Sequence, residues 1–117
     1  MATFTREKLS ASTNGRGIKV AATSSTGTTI HATGTSGKDE IWLYAYNSAA
    51  TAIVLTVQFG GTTSPDDDIK VSIPSQTGLT LVCPGLTIVP SGSAITVYAY
   101  AGSANVVTIQ GYVNRVS

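Results

Sequence analysis

Charge is scarce in this chain. Only 11% of its 117 residues are Asp, Glu, Lys or Arg, against about a quarter in an average soluble domain. The seven basic and six acidic side chains leave a formal net charge of +1. That is too little to steer the molecule toward nucleic acid or a membrane surface, and too little to keep copies apart by repulsion. With a mean hydropathy of +0.20 and a polar remainder made largely of Thr, Ser, Asn and Gly, the surface has to be hydroxyl-rich. Such a surface suits a protein that other polypeptides cover.

Cysteine is scarcer still. Cys83 is the only one, which excludes an internal disulfide and with it the stapled scaffold of a small secreted domain. The opening MATFTREKLSASTNGRG has basic residues but lacks the apolar core of a secretory signal after them. No run nears the roughly 18 apolar residues of a membrane span, and no Asn-x-Ser/Thr acceptor occurs. Synthesis in the cytoplasm is the expectation. Gly-rich phosphate loops, His/Cys metal spacings and a serine-nucleophile elbow are also missing. The two glutamates, Glu7 and Glu40, are poorly placed for paired acid/base work. We therefore expect no enzyme, no cofactor and no metal.

Helical periodicity is the last thing lacking, and alternation takes its place. Over 40–61, EIWLYAYNSAATAIVLTVQFGG, Ile41, Leu43 and Ala45 share one parity and Trp42, Tyr44 and Tyr46 the other. After a polar turn, Ile53, Leu55, Val57 and Phe59 form an apolar face with Val54, Thr56 and Gln58 behind it. Further strand-like runs lie at 18–23, 28–33, 69–73, 79–83, 86–89, 94–101 and 106–113. Gly, Pro, Ser and Asp clusters separate nearly all of them. Regular short strands with such turns predict one all-β domain, a single antiparallel β-sandwich of jelly-roll-like or immunoglobulin-like arrangement. Further core candidates are Ile69, Val71, Ile73, Leu79, Leu81, Ile95, Val97, Ala99, Val107, Ile109 and Val113.

Residues 1–16 differ from the rest. Arg6, Lys8 and Arg16 outweigh Glu7, while Phe4 and Leu9 are too few to build a core element. We read 1–16 as an N-terminal arm with at most one helical turn, and 17–117 as the sandwich domain. The arm either crosses to a neighbouring subunit or lies back on its own sheet.

Trp42, Tyr44, Tyr46, Tyr98, Tyr100 and Tyr112 are candidates for an aromatic face, if their strands are neighbours. It would serve as core, as subunit interface or as a platform for sugar rings. Asp66, Asp67 and Asp68 after Pro65 read as a solvated acidic turn, since they lack the spaced carboxylates and closing Glu of a calcium loop. His31 and Cys83 show no sign of forming a nucleophile and base pair. Cys83 shares parity with Leu79 and Leu81 and is expected in the core. Asn14-Gly15-Arg16 reads as a flexible exit from the arm.

The opening MATFTREKLSASTNGRGIKVAATSSTGTTIHATG, followed by DEIWLYAYN and GGTTSPDD, resembles a group of small virion proteins encoded by tailed bacteriophages. The likeness runs over nearly the whole chain, in overall pattern and without a catalytic signature. It implies a structural component of the particle. Capsid decoration (cement) proteins of this kind are commonly sandwiches that assemble as trimers between capsid hexamers. The resulting expectation is a virion-located homotrimer that binds the major capsid protein and stiffens the head lattice. Its contacts would come from Phe4, Arg6, Lys8, Leu9 and Arg16 of the arm and from Trp42, Tyr44, Tyr46, Tyr98 and Tyr100. The rival readings are a neck, tail or fibre component and a carbohydrate-binding module docking through Trp42 and Tyr44.

Overall fold

The computed structural model describes residues 3–117. Among them nine strands and no helix are found: β1 (Phe4–Lys8), β2 (Ile18–Lys19), β3 (Thr28–Ala32), β4 (Lys38–Asn47), β5 (Ile53–Gln58), β6 (Asp68–Ile73), β7 (Thr80–Ile88), β8 (Thr96–Ala101) and β9 (Val107–Val116). They form two antiparallel sheets. The first has the order β1-β9-β4-β7, with β2 pairing β9 beyond β1, and the second the order β3-β8-β5-β6. From β2 onward every connection changes sheet except the β5 to β6 hairpin. The long stretch 40–61 therefore supplies one strand to each layer.

Alternation explains the core. Ile41, Leu43 and Ala45 of β4 and Ile109 and Val113 of β9 point inward and are buried, facing Leu55, Val57, Val97 and Ala99 of the other sheet. Ile53, Phe59, Ile69, Val71 and Ile95 pack around them half-buried. Asn47, fully buried, holds the β4 to β5 turn. Its Nδ2 donates to the carbonyls of Thr51 and Ile73, and its Oδ1 accepts from the Ala49 N–H.

Three local expectations are corrected. The runs 79–83 and 86–89 are one strand, β7, since Pro84-Gly85 makes a bulge and not a turn. An edge strand accommodates a proline because half its N–H groups need no ladder partner. Leu79 and Leu81 are not core but 54% and 47% exposed. A second bulge inserts Val82 between the pairs Leu43↔Cys83 and Tyr44↔Leu81, so Val82 and Cys83 are both buried and Leu81 is turned outward. Thr56 and Gln58, assigned to the polar reverse of β5, are buried. The loop before β3 covers Gln58, whose Oε1 accepts from the Gly27 N–H and whose Nε2 donates to Ser25 Oγ.

Of the two courses open to the arm, residues 3–16 take the one along the molecule's own sheet, and residues 1 and 2 lie outside the described residues. Phe4 to Lys8 pair with Val116 to Tyr112 of β9, so the single helical turn is replaced by an edge strand. Leu9 is 1% exposed and belongs to the core.

Candidate interaction surface

The register places β1, β9, β4 and β7 side by side and sorts their side chains onto two faces. With Ile41, Leu43 and Ala45 turned inward, Lys38, Glu40, Trp42, Tyr44 and Tyr46 of β4 face outward, as do Gln110, Tyr112, Asn114 and Val116, which pair with them. On β1 the same face carries Phe4, Arg6 and Lys8. Phe4 is 77% exposed, the most open large apolar side chain of the described residues.

An aromatic row crosses this face. The Arg6 guanidinium lies 4.8 Å from the centre of the Tyr112 ring, within reach of a cation–π attraction. Tyr112 stacks in turn on Trp42, with centroids 6.1 Å apart and planes 13° from parallel. The indole ends against Gly85, where a β-carbon would come within 2.7 Å of Cζ2. The bulged β7 thus has glycine where Trp42 lies down, at a φ of +77° that favours glycine anyway.

Hydrogen bonds fix the end of the row. Trp42 Nε1 donates to Glu40 Oε1 at 2.7 Å, and Asn114 Nδ2 donates to the same oxygen at 3.1 Å. These two bonds, Trp42 first, hold the Glu40 carboxyl below its ordinary pKa. Beside it opens a shallow cleft of about 240 Å³ lined by Phe4, Lys38, Glu40, Thr87, Asn114 and Val116. It offers one cation, one anion, an amide and a hydroxyl above an apolar wall.

The proposed contact residues do not form one surface. Phe4, Arg6 and Lys8 share the outer face with Trp42, Tyr44 and Tyr46. Tyr98 and Tyr100 lie on β8, in the other sheet and beside Gln58 and Thr56. The six rings therefore line two faces. Leu9 is enclosed in the core, and Arg16 is exposed in the connection between β1 and β2, where its carbonyl accepts from Ser12 Oγ.

Elsewhere the reactive groups are occupied, except for the Asp68 Oδ1, which is buried without a hydrogen-bond partner. Cys83 Sγ donates to the Ile41 carbonyl, and burial pushes its pKa up. His31 faces Asp39 and the Ser10 N–H, so its two ring nitrogens are both engaged. Asp67 and Asp68 accept bonds from the Thr63 N–H and Ser64 Oγ of their own loop. Among the described residues no three His, Cys, Asp or Glu side chains are grouped so as to hold a metal ion. Lys38, Thr87, Asn114 and Val116 escaped the sequence reading because only strand register brings them to Phe4 and Glu40.

No protein-family model matches this chain, and no curated protein matches it.

Proposed function

We propose that this protein is a capsid decoration (cement) protein of a tailed bacteriophage, a jelly-roll sandwich that assembles as a homotrimer and binds the outside of the head lattice. The observation that carries the reading is the sheet order. Taken with β1 and β2 as one interrupted edge strand, β1/β2-β9-β4-β7 and β3-β8-β5-β6 have the interleaving of two Greek keys, the arrangement of many viral capsid domains. The sequence resemblance supports the same class. So does the absence of charge from residues 71–114, which lets large areas be covered without desolvating ions.

On this reading the outer face of the β1-β9-β4-β7 sheet meets the capsid. Phe4 is the apolar anchor, and Lys38, Glu40 and Asn114 around the cleft supply polar contacts. Specific interfaces bury at least roughly 1,000 Å², so several copies share the hold. Sugar stacking is less well supported, because Tyr112 is flanked by Arg6 and Trp42, and Trp42 lies on Gly85.

The test is to add purified protein to phage heads that lack it and image the labelled particles. A lattice-wide signal, weakened by Phe4→Ser with Lys38→Glu, is the expected result. Signal at a single vertex indicates a neck or tail component. Glycan binding lost in Trp42→Ala, with no attachment to heads, replaces the proposal by the carbohydrate reading.

A further inference from the structure

The two edges of this sandwich differ in chemistry. After β1 the chain crosses to the second sheet: the Ala11 N–H donates to the Ile30 carbonyl, the Ser10 N–H to His31 Nδ1, and the Ala32 N–H to Ser10 Oγ. The β1/β2 edge of one sheet therefore lies beside the β3 edge of the other. The strand orders put β7 and β6 at the opposite side.

The β1/β2 side is basic, with Arg6, Lys8, Arg16 and Lys19 exposed and Glu7 as its half-buried acid. The β6/β7 side is apolar and acidic. Of the six exposed large apolar side chains among the described residues, four lie on or beside β7: Leu79, Leu81, Leu86 and Val89. The acids are the exposed Asp66 and, half-buried and bonded within their own loop, Asp67 and Asp68 at the entry to β6, partly offset by Lys70.

We infer that copies of this chain associate head to tail, the β6/β7 side of one against the β1/β2 side of the next. A symmetric contact would bring like-charged sides together, whereas joining opposite sides sets the acids and exposed apolar side chains of one copy against the basic side of the next. The contact is made by side chains and is not a continued sheet. Pro84 and the two bulges interrupt the free backbone edge of β7, as edge strands commonly do to block strand addition. A head-to-tail contact closes into a ring if its rotation allows, which gives the proposed trimer a geometry. The inference rests on the reading of the chain as an assembling protein, but not on any particle that the assembly binds.

Two variants of the full chain test it, each altered only at exposed residues: Leu79→Lys with Leu81→Lys, and Lys8→Glu with Lys19→Glu. Sedimentation velocity on purified protein gives the association state, and circular dichroism confirms folding. We expect the unaltered protein to form a closed oligomer. Each variant alone should be monomeric, its self-association weakened roughly 30-fold or more. An equal mixture of the two, which retains one intact pair of opposite sides, should associate where neither variant does alone. The inference is overturned if the unaltered protein is a monomer, if the Lys8→Glu and Lys19→Glu variant still pairs with itself, or if the mixture stays monomeric. Head binding is measured separately, so loss of that activity with the ring intact counts against the capsid reading alone.

Discussion

His31 on β3 and Asp39 on β4 meet between the two sheets, with Nε2 2.8 Å from Oδ2 and 1% and 3% of their side chains exposed. The other ring nitrogen, Nδ1, accepts the Ser10 N–H at 3.0 Å. The proton of the neutral ring must then sit on Nε2 and be donated to Asp39. Arg115 of β9 completes the group, Nε donating to Oδ1 at 2.9 Å and Nη2 to Oδ2 at 3.0 Å. One buried carboxylate thereby ties together two sheets and the segment after β1.

Acid should loosen this knot. Burial, first of all, lowers the His31 pKa, and Arg115 and Lys8 act the same way against the raising effect of Asp39. Protonating Nδ1 would also set a second donor against the Ser10 N–H. A base whose folded pKa is lowered contributes stability that is complete above its ordinary value of about 6.5 and is lost as the pH falls below it. For Asp39, burial opposes the charge, but the bonds from Arg115 and His31 outweigh it. Its contribution is therefore complete above the ordinary 3.8 and is lost at lower pH. The melting temperature should fall between about pH 7 and pH 5, and should fall less for His31→Gln. Equal slopes for the two proteins would remove His31 from this account.

Asp39→Asn keeps the shape of the side chain but leaves Arg115 without the carboxylate it is bonded to and His31 without an anionic acceptor. Breaking a buried ion pair costs about 3–5 kcal/mol. Arg115, at 34% exposed, recovers part of its hydration, so about 2–4 kcal/mol is expected from urea unfolding. A loss below about 1 kcal/mol would place the cluster among ordinary surface pairs.

Parity read from the sequence is reliable where a ladder is unbroken and fails beyond a bulge, and two leucines measure the difference. Leu55 in β5 is fully buried, so Leu55→Ala should cost about 2–5 kcal/mol. Leu81 has the same apolar character but lies past the Val82 bulge, and Leu81→Ala in the monomer should change stability by no more than about 0.5 kcal/mol. Comparable losses in chemical denaturation would mean that the register of β7 is wrong.

The same limit explains what was legible. The alternation in β4 and β5 depends on the chain's own period, and it gave their faces and most of the core. From sequence alone β1 reads as an arm, because an edge strand with Arg6 and Lys8 outward carries almost no core signal, and Leu9 follows it. The cluster of His31, Asp39 and Arg115 joins residues up to 84 positions apart, which no local pattern reveals. The stack of Trp42 on Tyr112 likewise depends on how β4 and β9 pair.

Gly85→Ala should be felt at Trp42. The new methyl would stand 2.7 Å from the indole at a φ of +77°, so strain and ring displacement should together cost about 1–3 kcal/mol. Trp42 is the only tryptophan, so its fluorescence reports the row directly. The emission maximum should shift in Gly85→Ala and in Tyr112→Ala. An unchanged spectrum in both would mean that the indole does not pack between these two residues.

Shortening the N-terminus at two points separates the edge strand from what it anchors. Removing residues 1–8 deletes β1 and the Arg6 contact with Tyr112 but keeps Leu9 in the core and Ser10 on His31. That protein should stay folded with a modest loss of stability, because an edge strand contributes one ladder and little buried surface. Removing residues 1–16 also empties the Leu9 site, for which large-to-small changes in cores cost about 2–5 kcal/mol. It leaves His31 Nδ1 without its donor as well, a further loss of about 1–3 kcal/mol for a buried unsatisfied group. Urea midpoints of the two truncations should therefore differ by more than the first differs from the full chain. If the two are equally stable, Leu9 and Ser10 do not hold the sandwich together.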